Sequence, residues 1–462
     1  MGAARIPRLD TDLHTTLDSA TLQPMLDRLK DTNDAFLRRF PGTHEVRQPV
    51  HTVYGGANLY KPGAASKLGA LALKHMDVYA PDLEHFARNL GLDFADPIVA
   101  PVFQRVLRKL KQEPIEDHRV DFEDGYGTRT DKEEDGHVKT AASAMADGLV
   151  EGSLPQGVGI RIKALSEESK LRSLRTLDLF ISSLVVAAKG RFPDRFLVTL
   201  PKVTSATQVD VLCEAITMLE ARTGLTPGAI QVEIMLESVQ VLFNEQGQFG
   251  LRELVAAHTD RITTLVLGTF DYTASANISA AFQAHDHGVA DFARQMMIAG
   301  LMDSTVNLCD GVTNLMPIPP HRGDALSDEQ TRENDEAIIT AWQLHFGNIL
   351  HSMKLGIYQG WDLNPAQLPI RYAAVFYFYL KALAEAQQRL KTFVGKAAQA
   401  SLTGSTFDDA ATGQGLVNFF RNGYRCGALE EHEVLAAGVS IEELERGSFV
   451  EIVANRNTGE RA

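Results

Sequence analysis

Cysteine is scarce in this chain. Cys213, Cys309 and Cys426 are the only three in 462 residues, an odd number, widely spaced, with no CxxC pair and no matching pair of histidines. That excludes a disulfide framework and a structural zinc site, and it suits a reducing cytoplasm, where we expect the protein to work. Positive charge is in deficit. At a formal charge of −14 no extended basic face can neutralise phosphates, which excludes general nucleic-acid binding. No uninterrupted apolar run approaches the ~18 residues of a membrane span. The opening residues MGAARIPRLDTDLH hold no apolar signal region, and Ile6 stands where a myristoylation signal needs Ser or Thr. No Gly-rich dinucleotide fingerprint follows a strand-like run, and no GxxxxGK(S/T) occurs. With 44% hydrophobic and 23% charged residues, the remainder has the composition of an ordinary soluble enzyme able to bury a large core.

What is present is an alternation. Leu22, Met25, Leu26, Leu29, Phe36 and Leu37 recur at helical spacing and predict an amphipathic helix ahead of the core. Eight short strand-like runs follow, each ending in polar or Gly residues: VHTVYGG, HRVDFEDGYG, GVGIRIKAL, RFLVTLPKV, VEIMLESV, TTLVLGTFDYTAS, TVNLCDGVTNL and KLGIYQGWDLNPAQL. Helical segments separate most of them. Strand and helix in alternation imply parallel pairing with right-handed crossovers, and eight units over this length predict an α/β fold of the TIM-barrel type, (βα)8. An open doubly wound sheet is the structural alternative. We assign an N-terminal helical extension to residues 1–45, the barrel to 46–394 and a C-terminal helical cap, expected over the barrel mouth, to 395–462. Ser405 or Thr406 is expected to cap a helix there.

In such a barrel the reacting groups sit where strands end. Those ends carry Asp121, Glu123 and Asp124, then Arg161 and Lys163, then Lys202, Glu237, Asp271 and Asp310. Burying charge is expensive unless it is paired, so a core has no reason to collect ionisable groups at one end of successive strands. Glu237 and Asp271, each closing an apolar run, offer two hard anionic ligands on rigid strand ends. This suits Mg2+, with Mn2+ as a substitute, because Mg2+ takes one or two carboxylates and fills its octahedron with waters and substrate oxygens. Asp310 is read as structural, and the close pair His285 and His287 in AHDH as a solvated loop.

Several of these segments, in order, resemble the malate synthase and citrate lyase beta-subunit superfamily of Mg-dependent carbon–carbon bond enzymes, related to the HpcH/HpaI aldolases. HRVDFEDGYG resembles its second-strand Asp-Phe/Leu-Glu-Asp signature, GIRIKAL the third-strand segment with the catalytic or substrate-binding arginine, and VTLPKV the fourth-strand Leu-Pro-Lys motif. MLESVQVLF and GTFDYTAS resemble the two metal-ligand motifs. GWDLNPAQL is similar to the closing-strand motif His-Pro-x-Gln, with Asn364 in place of His. FDDAATGQGLVNFF is similar to the malate synthase segment Glu-Asp-Ala-Ala-Thr, with Asp408 in place of Glu. The resemblance implies that Arg161 is catalytic, that Glu237 and Asp271 hold the metal, and that Asp409 is the base that deprotonates an acetyl methyl group. After the arginine, Lys163-Ala164-Leu165 departs from the malate synthase pattern.

The expected chemistry is formation or cleavage of a bond beside the carbonyl of a small 2-oxo acid. Arg161 complements the oxyanion, and acyl-CoA as a co-substrate is implied by the resemblance alone. Asp121, Glu123 and Asp124 are expected to accept from metal-bound waters, and Lys202, Gly268, Thr269 and Phe270 to line the substrate. Lys202 as a Schiff-base nucleophile is the less favoured mechanism, since a metal makes an imine redundant. Two other readings compete: aldol cleavage of a hydroxy-oxo acid without CoA, and a barrel without catalysis that serves as a binding module. A homo-oligomer is expected.

Overall fold

The computed structural model describes residues 19–42, 46–323, 325–395, 401–403, 406–408, 410–449 and 451–453. Eight parallel strands close into a barrel in sequence order: β1 (His51–Gly56), β2 (Asp117–Asp121), β3 (Gly157–Arg161), β4 (Phe196–Leu200), β5 (Ile230–Leu236), β6 (Ile262–Leu267), β7 (Asn307–Val312) and β8 (Gln359–Asp362). β1 pairs with β8 as well as β2, with His51 opposite Gly360, and that pairing excludes the open sheet. All eight strands fall in the runs expected from the sequence.

The helices are α1 (Ser19–Arg39), α2 (Ala64–Tyr79), α3 (Leu83–Asn89), α4 (Val99–Gln112), α5 (Asp131–Glu151), α6 (Lys170–Ala187), α7 (Ala206–Thr223), α8 (Gly250–Ala256), α9 (Thr269–Ser275), α10 (Gly288–Leu301), α11 (Asp328–Lys354) and α12 (Leu368–Gly395). Local sequence sets their starts. Thr130 and Glu133 form a reciprocal capping box at α5, and Ser327 and Gln330 form one at α11, satisfying backbone N–H groups that the first turn leaves unpaired. The strands' outward apolar residues, such as Val120, Ile160 and Val198, pack against Val138, Phe180 and Ile216 of the surrounding helices.

The barrel interior is polar. Arg119 pairs with Asp117 and lies 3.4 Å from Glu233. Glu233 accepts from Tyr54 at 2.7 Å and from Thr199 at 2.6 Å. All of these are buried, and their mutual pairing is what makes charge tolerable there.

The C-terminal segment forms a short antiparallel pair, β9 (Ser401–Thr403) with β10 (Thr406–Asp408), then α13 (Ala410–Arg425), α14 (Glu431–Ala436) and α15 (Ile441–Arg446). Thr406 therefore belongs to a strand and caps no helix, and Ser405 lies outside the described residues. The position also differs from expectation. Arg421, Asn422 and Cys426 of α13 and the turn after it share a cavity with Gln48 and Val50, just ahead of β1, and with Tyr358, just ahead of β8. Arg105 of α4 donates to Ala428 and pairs with Glu433 at 2.8 Å. The helical cap thus sits at the amino-terminal rim, opposite the mouth. The 28 residues of α12 carry the chain past that rim, and Phe393 near its end stacks on Phe449 at 4.9 Å.

Candidate active site

The mouth is built around Arg161. β2 and β3 bring Asp121 and Arg161 into register as neighbours. The guanidinium donates from Nε to Asp121 Oδ1 at 2.7 Å and from Nη2 to Oδ2 at 2.5 Å. The same carboxylate accepts the backbone N–H groups of Glu123 at 2.9 Å and Gly125 at 2.8 Å. Asp121 is thus committed to aiming the arginine and shaping the loop, where acceptance from metal-bound waters was expected. Burial works against the charge of Arg161, but the bond to Asp121 and its charge more than offset this and hold the pKa above the ordinary arginine value. The guanidinium lies over Tyr54, 5.0 Å from the ring centre, and over Trp361, 5.2 Å away. Nη1 is buried without a hydrogen bond; Glu123 Oε2, 3.2 Å away, attracts it but is not aligned to accept. Trp361 Nε1 and Thr269 Oγ1 are likewise buried without partners among the described residues. Sequence reasoning missed Tyr54 and Trp361. The available signal was an aromatic residue at each strand end, beside Gly55-Gly56 and within GWDLN.

Facing Arg161 is an acidic group threaded by Lys202. The backbone of Lys202 is left-handed, with φ of 51°. Its N–H donates to Glu237 Oε2 at 2.5 Å. Its ammonium reaches Glu123 Oε1 at 2.5 Å, Asp124 Oδ2 at 2.9 Å and Asp271 Oδ2 at 3.5 Å. Burial opposes the charge of Lys202, while the bond to Glu123 and the charge of Glu237 raise its pKa overall. A free amine is therefore disfavoured, which argues against a Schiff base. Burial also lifts Glu123 above the usual carboxylate range, whereas the Lys202 bond brings Asp124 below it despite burial.

Glu237, following β5, is buried, and its carboxyl is pushed up to about 8, first by burial and then by the charge of Asp271, with Lys202 pulling the other way. Asp271 lies in the first turn of α9 with its side chain 44% exposed. Gly268 leaves room for Glu237: a Cβ there would stand 2.6 Å from Oε1. Phe270 packs against the buried cluster that includes Tyr54, Val312 and Trp361.

Lys202 thus touches both expected metal ligands, bonding Glu237 through its N–H and lying 3.5 Å from Asp271 through its ammonium. One buried and one exposed hard oxygen donor fit a divalent cation, whose charge relieves their repulsion. No set of three or more His, Cys, Asp or Glu side chains is arranged to hold a metal among the described residues, so waters and substrate oxygens are needed to complete the coordination.

Other expected residues lie elsewhere. Asp409 is outside the described residues. Asp310 is structural, paired with Arg294 at 2.8 Å and accepting from Ser352. His285 is no solvated loop residue: it is buried, 3.1 Å from Ser352 Oγ. Asn364 caps the turn that follows β8 by accepting from Ala366 N–H at 2.9 Å.

The family described as a domain of unknown function, DUF6986, matches residues 29–452. The chain belongs to the DUF6986 family. No curated protein sequence matches it. Among solved structures, a citrate lyase from Burkholderia xenovorans LB400 aligns over 86% of this chain and 97% of its own at 15% identity, with a TM-score of 0.55. A magnesium/glyoxylate complex of Haloferax volcanii malate synthase aligns over 88% and 99% at 14% identity, with a TM-score of 0.46. The citrate lyase beta subunit from M. tuberculosis, complexed with oxaloacetate and magnesium, aligns over 71% and 97% at 15% identity, with a TM-score of 0.38. What this DUF6986 chain shares with the citrate lyase structure, at that identity, is the fold.

Proposed function

We propose that this protein is a Mg2+-dependent lyase or synthase that makes or breaks a carbon–carbon bond beside the carbonyl of a small 2-oxo acid. The observation that carries the reading is Arg161 Nη1, a buried donor without a hydrogen bond among the described residues, at a mouth where Lys202 contacts the carboxylates of Glu123, Asp124, Glu237 and Asp271. The resemblance of those same segments to the metal-ligand and arginine motifs supports it.

Glu237 and Asp271 would hold the cation, which when bound supplies Lewis-acid polarisation of a carbonyl. Arg161, locked by Asp121 and by the Tyr54 and Trp361 rings, presents Nη1 to the oxygen on which enolate charge gathers. A preorganised donor of this kind is worth roughly 3 to 4 kcal/mol of barrier. Trp361 Nε1 and Thr269 Oγ1 offer further hydrogen bonds to substrate oxygens. Lys202 keeps Glu123 and Asp124 neutralised and fixes Glu237 through its backbone N–H. Asp409 is the base in the acyl-CoA version of the reaction. The position of the C-terminal helices, away from the mouth, favours CoA-independent aldol cleavage as the second reading.

Isothermal titration with glyoxylate, pyruvate and oxaloacetate, with and without Mg2+, tests the proposal. Heat from at least one of them should require Mg2+ and vanish in Glu237→Ala. Absence of heat from all three in the wild type would leave the barrel a binding module.

A further inference from the structure

Seven arginines are buried among the described residues. Arg105, Arg119, Arg161, Arg261, Arg294 and Arg371 each face a carboxylate within 4 Å. Arg421 does not. It is only 6% exposed, and its one bond runs from Nη2 to the neutral Asn418 at 3.2 Å. Nε and Nη1 are buried with no acceptor among the described residues. Glu445 and Asp303 act on it only from a distance, and burial together with neighbouring Arg425 pulls its pKa below the ordinary arginine value. A buried guanidinium with unmade hydrogen bonds and no counter-charge is a costly arrangement, of the sort that calls for a missing acceptor.

The space for that acceptor is present. Arg421 lines a cavity of about 60 Å³ between α13 and the amino-terminal rim of the barrel. A single water needs roughly 10–15 Å³ on this measure, so the cavity takes a few waters or one small anion. Water satisfies N–H groups but leaves the charge uncompensated. Val50, Met353, Val375 and Tyr379 form apolar walls, while Arg421, Gln48 and Asn422 supply polar atoms. Phosphate, polar on every side, would strand oxygens against those walls; a carboxylate with a short carbon tail matches both ends.

We propose that this cavity binds a small carboxylate anion of acetate to pyruvate size, clamped by Arg421 between the C-terminal helices and the barrel. The site lies at the end of the barrel opposite the mouth and does not depend on the reaction proposed there.

Because such a ligand binds the folded chain alone, it raises the melting temperature with concentration. Sodium acetate is titrated against sodium chloride at matched ionic strength, read by calorimetry and by thermal unfolding, in wild type, Arg421→Met, Val375→Phe and the mouth variant Arg161→Gln. Saturable binding and a rising melting temperature are expected in wild type and Arg161→Gln. Affinity should fall at least tenfold in Arg421→Met, and in Val375→Phe, which fills the cavity while keeping the arginine. The proposal is overturned by a wild type that binds no acetate, by unchanged affinity in either cavity variant, or by loss in Arg161→Gln, which would locate the binding at the mouth. Tight phosphate binding without acetate binding overturns it as well.

Discussion

Replacing Gly268 with alanine adds one methyl group at the point where β6 hands over to α9. The backbone there has φ of −86°, open to any residue, so the change isolates sterics from strain. The new Cβ would stand 2.6 Å from Glu237 Oε1 and 2.8 Å from its Cδ, with Cγ closer still, where ordinary contact begins at 3.4 Å. Glu237 must therefore recede by nearly an ångström. It cannot do so freely, because Oε2 is bound to the Lys202 N–H at 2.5 Å and the Lys202 ammonium is tied in turn to Glu123 and Asp124. Overpacking of this kind costs about 1–3 kcal/mol. If the strain is released at the carboxylate, each 1.4 kcal/mol weakens Mg2+ binding tenfold, so Gly268→Ala should need about 10- to 100-fold more Mg2+ for half-maximal binding or turnover. Calorimetric Mg2+ titration measures this, and urea unfolding measures the global loss. Wild-type values in both would refute the placement of Glu237 against Gly268 and, with it, the assignment of Glu237 as a ligand.

Arg161→Lys keeps a charge but loses the two-pronged grip of Asp121, and turnover should drop by about two to three decades with far-ultraviolet circular dichroism unchanged; a loss under threefold would remove Arg161 from the chemistry. His118, buried beside Tyr60, has its pKa lowered from 6.5 to about 4 by burial. Between those values the unfolded chain takes up a proton that the folded chain refuses, so stability should fall as pH drops from 6.5 to 4, by about 3 kcal/mol in total. Urea midpoints across that range should lose this contribution in His118→Phe, and an unaltered slope would assign the effect to another group. Asp409→Asn should abolish methyl-proton exchange while sparing 2-oxo acid binding. Retained exchange in that variant would assign the base to another residue.

The barrel was legible because short buried runs such as RFLVTL and TTLVLG read the same whatever their neighbours, and the residues that close them fall at strand ends by necessity. Glu237 and Asp271 were legible as carboxylates that follow such runs. The ions inside the barrel were not. Asp117 and Arg119 in DHRVD and Glu233 in VEIM sit in short runs that a half-exposed strand would share, and only closure shows that they face one another. The role of Asp121 was misread because its partner Arg161 is 40 residues away and the register between β2 and β3 cannot be counted from composition. The C-terminal helices were expected over the mouth, yet the length of α12 alone sends them to the other end.

The salt-linked interior has an evolutionary consequence. Deleting one member of the Asp117, Arg119, Glu233 and Tyr54 set strands a charge in a place water cannot reach, whereas exchanging all of them together for well-packed apolar side chains can be nearly neutral. Single steps between those two solutions therefore pass through less stable chains, and exchanging the whole set would also take the Tyr54 ring from beneath Arg161.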